Sequence, residues 1–236
     1  MKIRIKFSKQ GVMKFIGHLD VMRYFQKAIR RADIDIAFSE GFSPHMIMSF
    51  AAPLGVGLTS DGEYMDIEVR GELTSKEAVK RLNRVMVDGM HIHSYRQIPE
   101  QKTSKAMSLV AAADYTVRFR DQSVPAAGWS KKVNDFFAQE SIIILKKTKK
   151  SEQEVDIRPM IYRMSVKDEV ISMQLATGSV NNLKPELVME AFAGFLGTKW
   201  KPFALEVNRV EIYADIGTDM GRKLISLEDL GEEIGT

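Results

Sequence analysis

An α+β fold made of two antiparallel-sheet units in tandem is what this sequence predicts. Three observations lead there. Short alternating runs recur, runs of helical period separate them, and the same order of runs occurs twice along 236 residues. That length, 44% of it hydrophobic, suffices for two small cores.

Residues 2–8 alternate, with Ile3, Ile5 and Phe7 on one side and Lys2, Arg4, Lys6 and Ser8 on the other, which predicts a half-buried strand. Residues 18–32 carry Leu19, Met22, Phe25, Ile29 and Ala32 at helical spacing. The apolar run 46–50 follows the turn-rich SEGFSPH. In GEYMDIEVR, Met65, Ile67 and Val69 alternate with Tyr64, Asp66, Glu68 and Arg70. Thr74 or Ser75 caps a helix over about 75–87, with Glu77 in its first turn and Val79, Leu82, Val85 and Met86 on its apolar side. Residues 90–98 read as another strand, so the order is β-α-β-β-α-β.

The order then recurs. Residues 114–120 alternate, and a helix over about 127–138 carries Trp129, Val133, Phe136 and Phe137. Residues 142–145 form a short buried strand, and 160–166 with 169–177 a hairpin over Lys167 and Asp168. Pro185 suits the first turn of a helix that runs to Leu196, with Gly197 just beyond its end. The last long strand, 203–214, slips in apolar phase near Asn208, which predicts a bulge. The repeated order is ferredoxin-like. It predicts units at 1–100 and 108–215, a boundary inside 99–108, and a Gly- and acid-rich tail at 216–236 with a short helix near 226–234.

Composition excludes several chemistries. With no cysteine, the chain supplies no disulfide, thiolate metal ligand, iron–sulfur ligand or thiol nucleophile, in keeping with a cytoplasmic setting. MKIRIKFSKQ lacks the apolar region of a signal peptide, and no apolar run nears the ~20 residues of a membrane span, so no membrane role is expected. A net charge of +3 is compatible with nucleic acid without being diagnostic of it.

In such a fold one sheet face packs on the helices and the other is free. On the free face of the first unit, Lys2, Arg4 and Lys6 lie opposite Asp66 and Glu68, which predicts cross-strand charge pairing. On the first helix, Arg23, Lys27, Arg30 and Arg31 lie opposite the apolar stripe. A solvated face is the plain reading; with Lys14 nearby, the same residues can follow a phosphate backbone. His18 opens that helix, and no acid–base partner is implied by its spacing. The segment 39–66 is punctuated by glycine and proline. In it Phe42 plugs its own loop, stacks on a base or docks a partner, and His45 shapes the same loop. The GVG at 55–57 is not a phosphate-loop signature. His91 and His93 share a strand face without a third ligand, so no metal is expected and no cofactor either. Lys146, Lys147, Lys149 and Lys150 in KKTKK form a one-signed run at a hairpin tip, followed by Arg158 in VDIRP, where an ion pair with Asp156 is the default reading.

The runs KIRIKFSK, MKFIGHLD, SEGFSPH, PLGVG, GEYMD and EVDIRP resemble the radical-SAM-linked protein family, over about residues 1–215. That is a bacterial family found alone or fused to the C-terminus of radical SAM proteins, often encoded near ribonuclease G/E. The resemblance implies a radical SAM partner, and a chain without cysteine leaves any cluster chemistry to that partner. The predicted architecture is also similar to the repeat-processing proteins of CRISPR systems. Some of those cleave RNA without metal through a histidine near the first helix, a position matched by His18, although their C-terminal glycine-rich loop is absent. The leading expectation is therefore a non-catalytic RNA-binding accessory acting on tRNA or rRNA with a radical SAM enzyme. Its contacts are Lys14, Arg23, Lys27, Arg30, Arg31, Phe42, His45, Lys146, Lys147, Lys149, Lys150 and Arg158. The rivals are a metal-independent endoribonuclease that uses His18 and a protein-only adaptor that uses the free sheet face.

Overall fold

Alternation, helical period and turn residues resolve into twelve strands and five helices in a computed structural model, which describes residues 1–100, 105–120, 123–125, 127–147, 152–218 and 220–235. The first stretch gives β1 (Lys2–Lys9), α1 (His18–Arg31), β2 (Met48–Phe50), β3 (Thr59–Glu68), α2 (Ser75–Asn83), β4 (Met90–Ile98) and α3 (Ala106–Leu109). Next come β5 (Val110–Phe119), α4 (Lys132–Phe137), β6 (Ile143–Lys147), β7 (Glu152–Asp156), β8 (Ile161–Lys167) and β9 (Val170–Ala176). The chain ends with α5 (Pro185–Phe195), β10 (Leu205–Asp215), β11 (Leu224–Ser226) and β12 (Glu232–Glu233). The architecture is mixed α+β, its strand pairs mostly antiparallel.

Two compact units form, and their extents differ from those predicted. One is Met1–Ala111 together with Arg209–Thr236; the other is Ala112–Asn208. The C-terminal segment is thus part of the first unit and not a separate tail. The apolar phase of β10 slips between Arg209 and Ile212, just after the strand passes from the second unit into the first: Val207 and Arg209 are buried before the slip, and Ile212 and Ala214 after it.

In the first unit the strand order is β12-β4-β1-β3, with β2 on the far side of the C-terminal part of β3. β1 is central: Ile3 pairs with Ile67 and Ile5 with Met65, and these side chains are buried beneath α1 and α2. α1 buries Val21, Phe25, Ala28 and Ile29, so Leu19 is not on its apolar stripe as its spacing suggested but exposed. Phe7 meets Phe25 edge-on at 4.7 Å and Phe50 at 6.1 Å. Gly62 lets β10 approach β3, because a Cβ there would lie 2.6 Å from the Val210 carbonyl oxygen.

The second face of this sheet was expected to be free, and it is largely covered. Arg4 is buried there, donating through Nε to Asp66 Oδ1 at 2.8 Å and through Nη2 to Oδ2 at 3.0 Å. Its third donor reaches the Leu227 carbonyl at 3.0 Å, in the 3-10 turn Leu227–Leu230. Lys6 bridges Glu211 and Glu228, each at 2.6 Å, and β12 pairs with the edge of β4. Burial works against the Lys6 ammonium, but the two carboxylates outweigh it and hold its pKa above the ordinary value. The predicted charge pairing is present for Arg4 and Asp66, while Lys6 turns to C-terminal carboxylates that sequence spacing did not suggest.

In the second unit the order is β10-β5-β9-β8. The strand expected at 142–145 is not in that sheet. It is β6, which among the described residues pairs with β7 alone, in a separate hairpin, and its Ile143 and Leu145 are exposed. The β8–β9 turn is centred on Asp168 and Glu169, both at positive φ (49° and 62°), one residue later than predicted. Gly197 follows α5 at φ +67°, as expected for a residue just past a helix end.

Removing Asp66 leaves the buried Arg4 guanidinium without its carboxylate. Asp66→Ala is expected to cost about 3–5 kcal/mol in urea unfolding, and a loss below about 1 kcal/mol would show that the pair does not organise this face.

Candidate nucleic-acid interface

α1 begins after Gly17 without a side-chain cap, with Asp20 in its first turn and Arg30 and Arg31 in its last, an arrangement that suits the helix dipole at both ends. Arg23, Lys27, Arg30 and Arg31 are all exposed. Arg23 meets Asp20 at 3.3 Å, whereas Lys27, Arg30 and Arg31 form no ion pair among the described residues. Arg31 also lines a cleft of about 490 Å³ with Arg81 and Arg84 from the end of α2. Arg81 is paired with Glu77 at 2.9 Å; Arg84 is exposed and forms no ion pair among the described residues. Arg84 was missed in the sequence because helical phase does not say which end of a second helix lies beside the first.

His18 packs edge-on against Phe50 at 5.1 Å between ring centroids and makes no side-chain hydrogen bond among the described residues. Lys14 stands over the Phe15 ring at 5.3 Å, and its carbonyl accepts the Gly57 N–H, which ties the GVG loop to the 3-10 turn Gly11–Phe15. Beneath this corner Arg209 and Glu63 form a buried, multiply hydrogen-bonded pair. Lys9, also buried, donates to the Ile16 carbonyl at 3.2 Å, and burial holds its pKa below the ordinary value.

The loop around Phe42 is closed by Ser39 and His45. The Ser39 N–H donates to the His45 carbonyl at 2.9 Å, and the Ser39 hydroxyl lies 2.8 Å from His45 Nδ1. Phe38 and Met46 form a β-bridge below, and Gly41 turns the tip at φ +105°. Phe42 is fully exposed, so it does not plug its own loop. His45 also lines a cavity of about 310 Å³ with Lys2, Ser49, Glu68 and Lys105.

The remaining residues divide. Lys146 and Lys147 belong to β6, opposite Gln153 and Glu152; Lys149 and Lys150 lie outside the described residues. Arg158 is turned inward: it stacks on Phe137 at 4.1 Å and donates to the carbonyls of Gln139 and Ile161 at 3.2 Å each. The expected Asp156–Arg158 ion pair is replaced by Asp156 accepting the backbone N–H groups of Ile142 and Arg158, both at 2.9 Å. A bend at Ile157 brings those N–H groups within reach, and extended spacing did not foresee it.

Sequence reading also missed Lys199, Trp200, Lys201 and Phe203. Trp129 and Trp200 flank a 560 Å³ cavity rimmed by Lys132, Lys199 and Lys201, and Phe203 is exposed at φ +61°. The alternation of lysine with aromatic residues in KWKPF was the available signal. His91 and His93 lie edge-on at 5.0 Å, and among the described residues no cluster of three or more His, Cys, Asp or Glu could hold a metal ion. No helix among them is long and apolar enough to cross a membrane.

This is an α+β protein with an exposed basic helix and an aromatic-tipped loop. Its residues 2–185 match a family described as an uncharacterized protein conserved in bacteria (DUF2344), and the chain belongs to that family. No curated protein matches it. Among solved structures it is similar to a chain of a Cbf5-Nop10-Gar1 complex, at 10% identity and a TM-score of 0.45 over 89% of this chain and 48% of that one. The chain thus spans about half the length of that relative.

Burial and the neighbouring His91 and Lys6 hold the His93 pKa below its ordinary 6.5, against Asp61 and Glu228. The unfolded chain therefore takes up this proton first, and the stability His93 confers is present above pH 6.5 and lost as pH falls below it. Between about pH 7.5 and 5.5, His93→Gln is expected to lose less stability than the wild type in chemical unfolding. An equal loss would exclude His93 as the cause.

Proposed function

We propose that the chain is a non-catalytic RNA-binding accessory that presents tRNA or rRNA to a radical SAM enzyme. The observation that carries the RNA part is the exposed face of α1, where Lys27, Arg30 and Arg31 have no carboxylate partner among the described residues. Cations not already neutralised are what a phosphate backbone requires, and Arg84 extends the same charge toward α2. Phe42, exposed at a loop tip, supplies a face on which an unpaired base can stack.

The partner half rests on the sequence resemblance and on the absence of cysteine, which leaves any cluster to another chain. Each unit is read as ferredoxin-like. Orders β4-β1-β3-β2 and β10-β5-β9-β8 support this, with α1 and α4 after the first strand of each unit and α2 and α5 after the third. His18 takes no catalytic part in this reading.

The test is a salt titration of binding on two unrelated RNAs. The triple substitution Arg23→Gln, Lys27→Gln and Arg30→Gln is expected to weaken both alike and to lower the salt slope by up to about three phosphate contacts. Its stability should change by no more than about 0.5 kcal/mol per site. Phe42→Ala should change which RNA is preferred. An unchanged slope returns α1 to a solvated face, and RNA cleavage abolished by His18→Ala would make the protein a ribonuclease. Co-elution with a radical SAM protein from the same genome tests the partner half, and separate elution overturns it.

A further inference from the structure

We propose that the cavity beside the Ser39–His45 loop is a guanine pocket, a proposal that rests on the RNA-binding reading and names the base it selects. The C-terminal segment covers the Arg4–Lys6 end of the second sheet face. The other end, where Lys2 stands opposite Glu68 and Ser49 opposite Asp66 in strand register, encloses about 310 Å³ among the described residues. That is near the lower limit of about 300–1,000 Å³ for small-molecule sites, and suits one base and not a duplex. An unpaired or everted nucleotide is therefore the occupant.

The polar groups in this cavity are not equivalent. Asp66 is already engaged by three donors, two from Arg4 and the Ala106 N–H at 2.7 Å. Lys2 donates to the Glu100 carbonyl. Among the described residues the Glu68 carboxylate, the Ser49 hydroxyl and the Lys105 ammonium have no hydrogen-bond or ion-pair partner, and His45 engages only its Nδ1.

Glu68 decides the selectivity. A carboxylate only accepts hydrogen bonds, and its two oxygens are best filled by two adjacent donors. Guanine offers these, N1–H beside the N2 amino group. Adenine and cytosine each set an acceptor beside their one amino group, and uracil sets its single N–H between two carbonyls. Lys105 and Lys2 supply positive charge for the attached phosphate. His45 Nε2, with Nδ1 fixed by Ser39, is left for the base O6 or the ribose. Phe42, three residues before His45, is free to stack on the neighbouring base.

The test is calorimetric titration of the full chain with 5′-GMP, 5′-IMP and 5′-AMP. Saturable GMP binding is expected, with IMP, which lacks the N2 amino group, and AMP weaker by about 10- to 100-fold. In Glu68→Gln, which keeps the side-chain size, GMP affinity should fall by about the same factor while AMP affinity stays constant. Equal affinity for GMP and AMP, no saturable GMP binding, or a Glu68→Gln protein that binds GMP as the wild type does, overturns the pocket. GMP selectivity without RNA affinity upholds the pocket and overturns the RNA-accessory reading. RNA binding without nucleotide discrimination does the reverse.

Discussion

A guanidinium on the middle strand of a sheet, away from water, must have its charge and all its donors met. Arg4 imposes that constraint on the first unit. Asp66 takes two of its hydrogen bonds, and the Leu227 carbonyl, from the far end of the chain, takes a third. Asp66 in turn accepts the Ala106 N–H and so anchors the start of α3. A buried pair of this kind adds little net stability over an apolar core, since desolvation offsets most of the attraction. What it adds is a tie between strand β3, the start of α3 and the C-terminal segment, which are far apart in the chain.

The rest of the face follows from that anchoring. With Leu227 buried, Glu228 lies within reach of Lys6, which it shares with Glu211, and Tyr64 donates to Glu211 at 2.7 Å. Burial first, then Glu211, drives the Tyr64 phenol far above its ordinary pKa, so it serves as a permanent donor. The end of the face around Arg4 and Lys6 is structural for that reason. At the other end, Glu68, Ser49 and Lys105 have no hydrogen-bond or ion-pair partner among the described residues, so they have bonding capacity to offer.

The same distinction sorts the charged residues singled out in the sequence. Arg158, half-buried, has its donors engaged by backbone carbonyls and its face on Phe137, so it holds the second unit together. Lys27, Arg30 and Arg31 are in water and form no ion pair among the described residues. A ligand gains most from groups the fold has not already satisfied, because engaging a satisfied group means breaking an existing bond first.

What the sequence by itself determined is local and periodic. The alternation of Ile3, Ile5 and Phe7, the helical recurrence of Phe25 and Ile29, the Thr74 cap and Gly197 place the elements to within a few residues, because period and capping are written in neighbouring positions. The exposure of the α1 cations follows from the same periodicity. What only the tertiary structure decided depends on partners far apart in the chain. Residues 224–234 close a sheet face, β6 leaves the main sheet for β7, Arg84 comes beside Arg31, and Glu68 remains open while Asp66 is consumed. Asp66 and Glu68 sit on the same face of one strand, and no local pattern distinguishes them. Their difference comes from Arg4, 62 residues away from Asp66, and from the Ala106 N–H, 40 residues away.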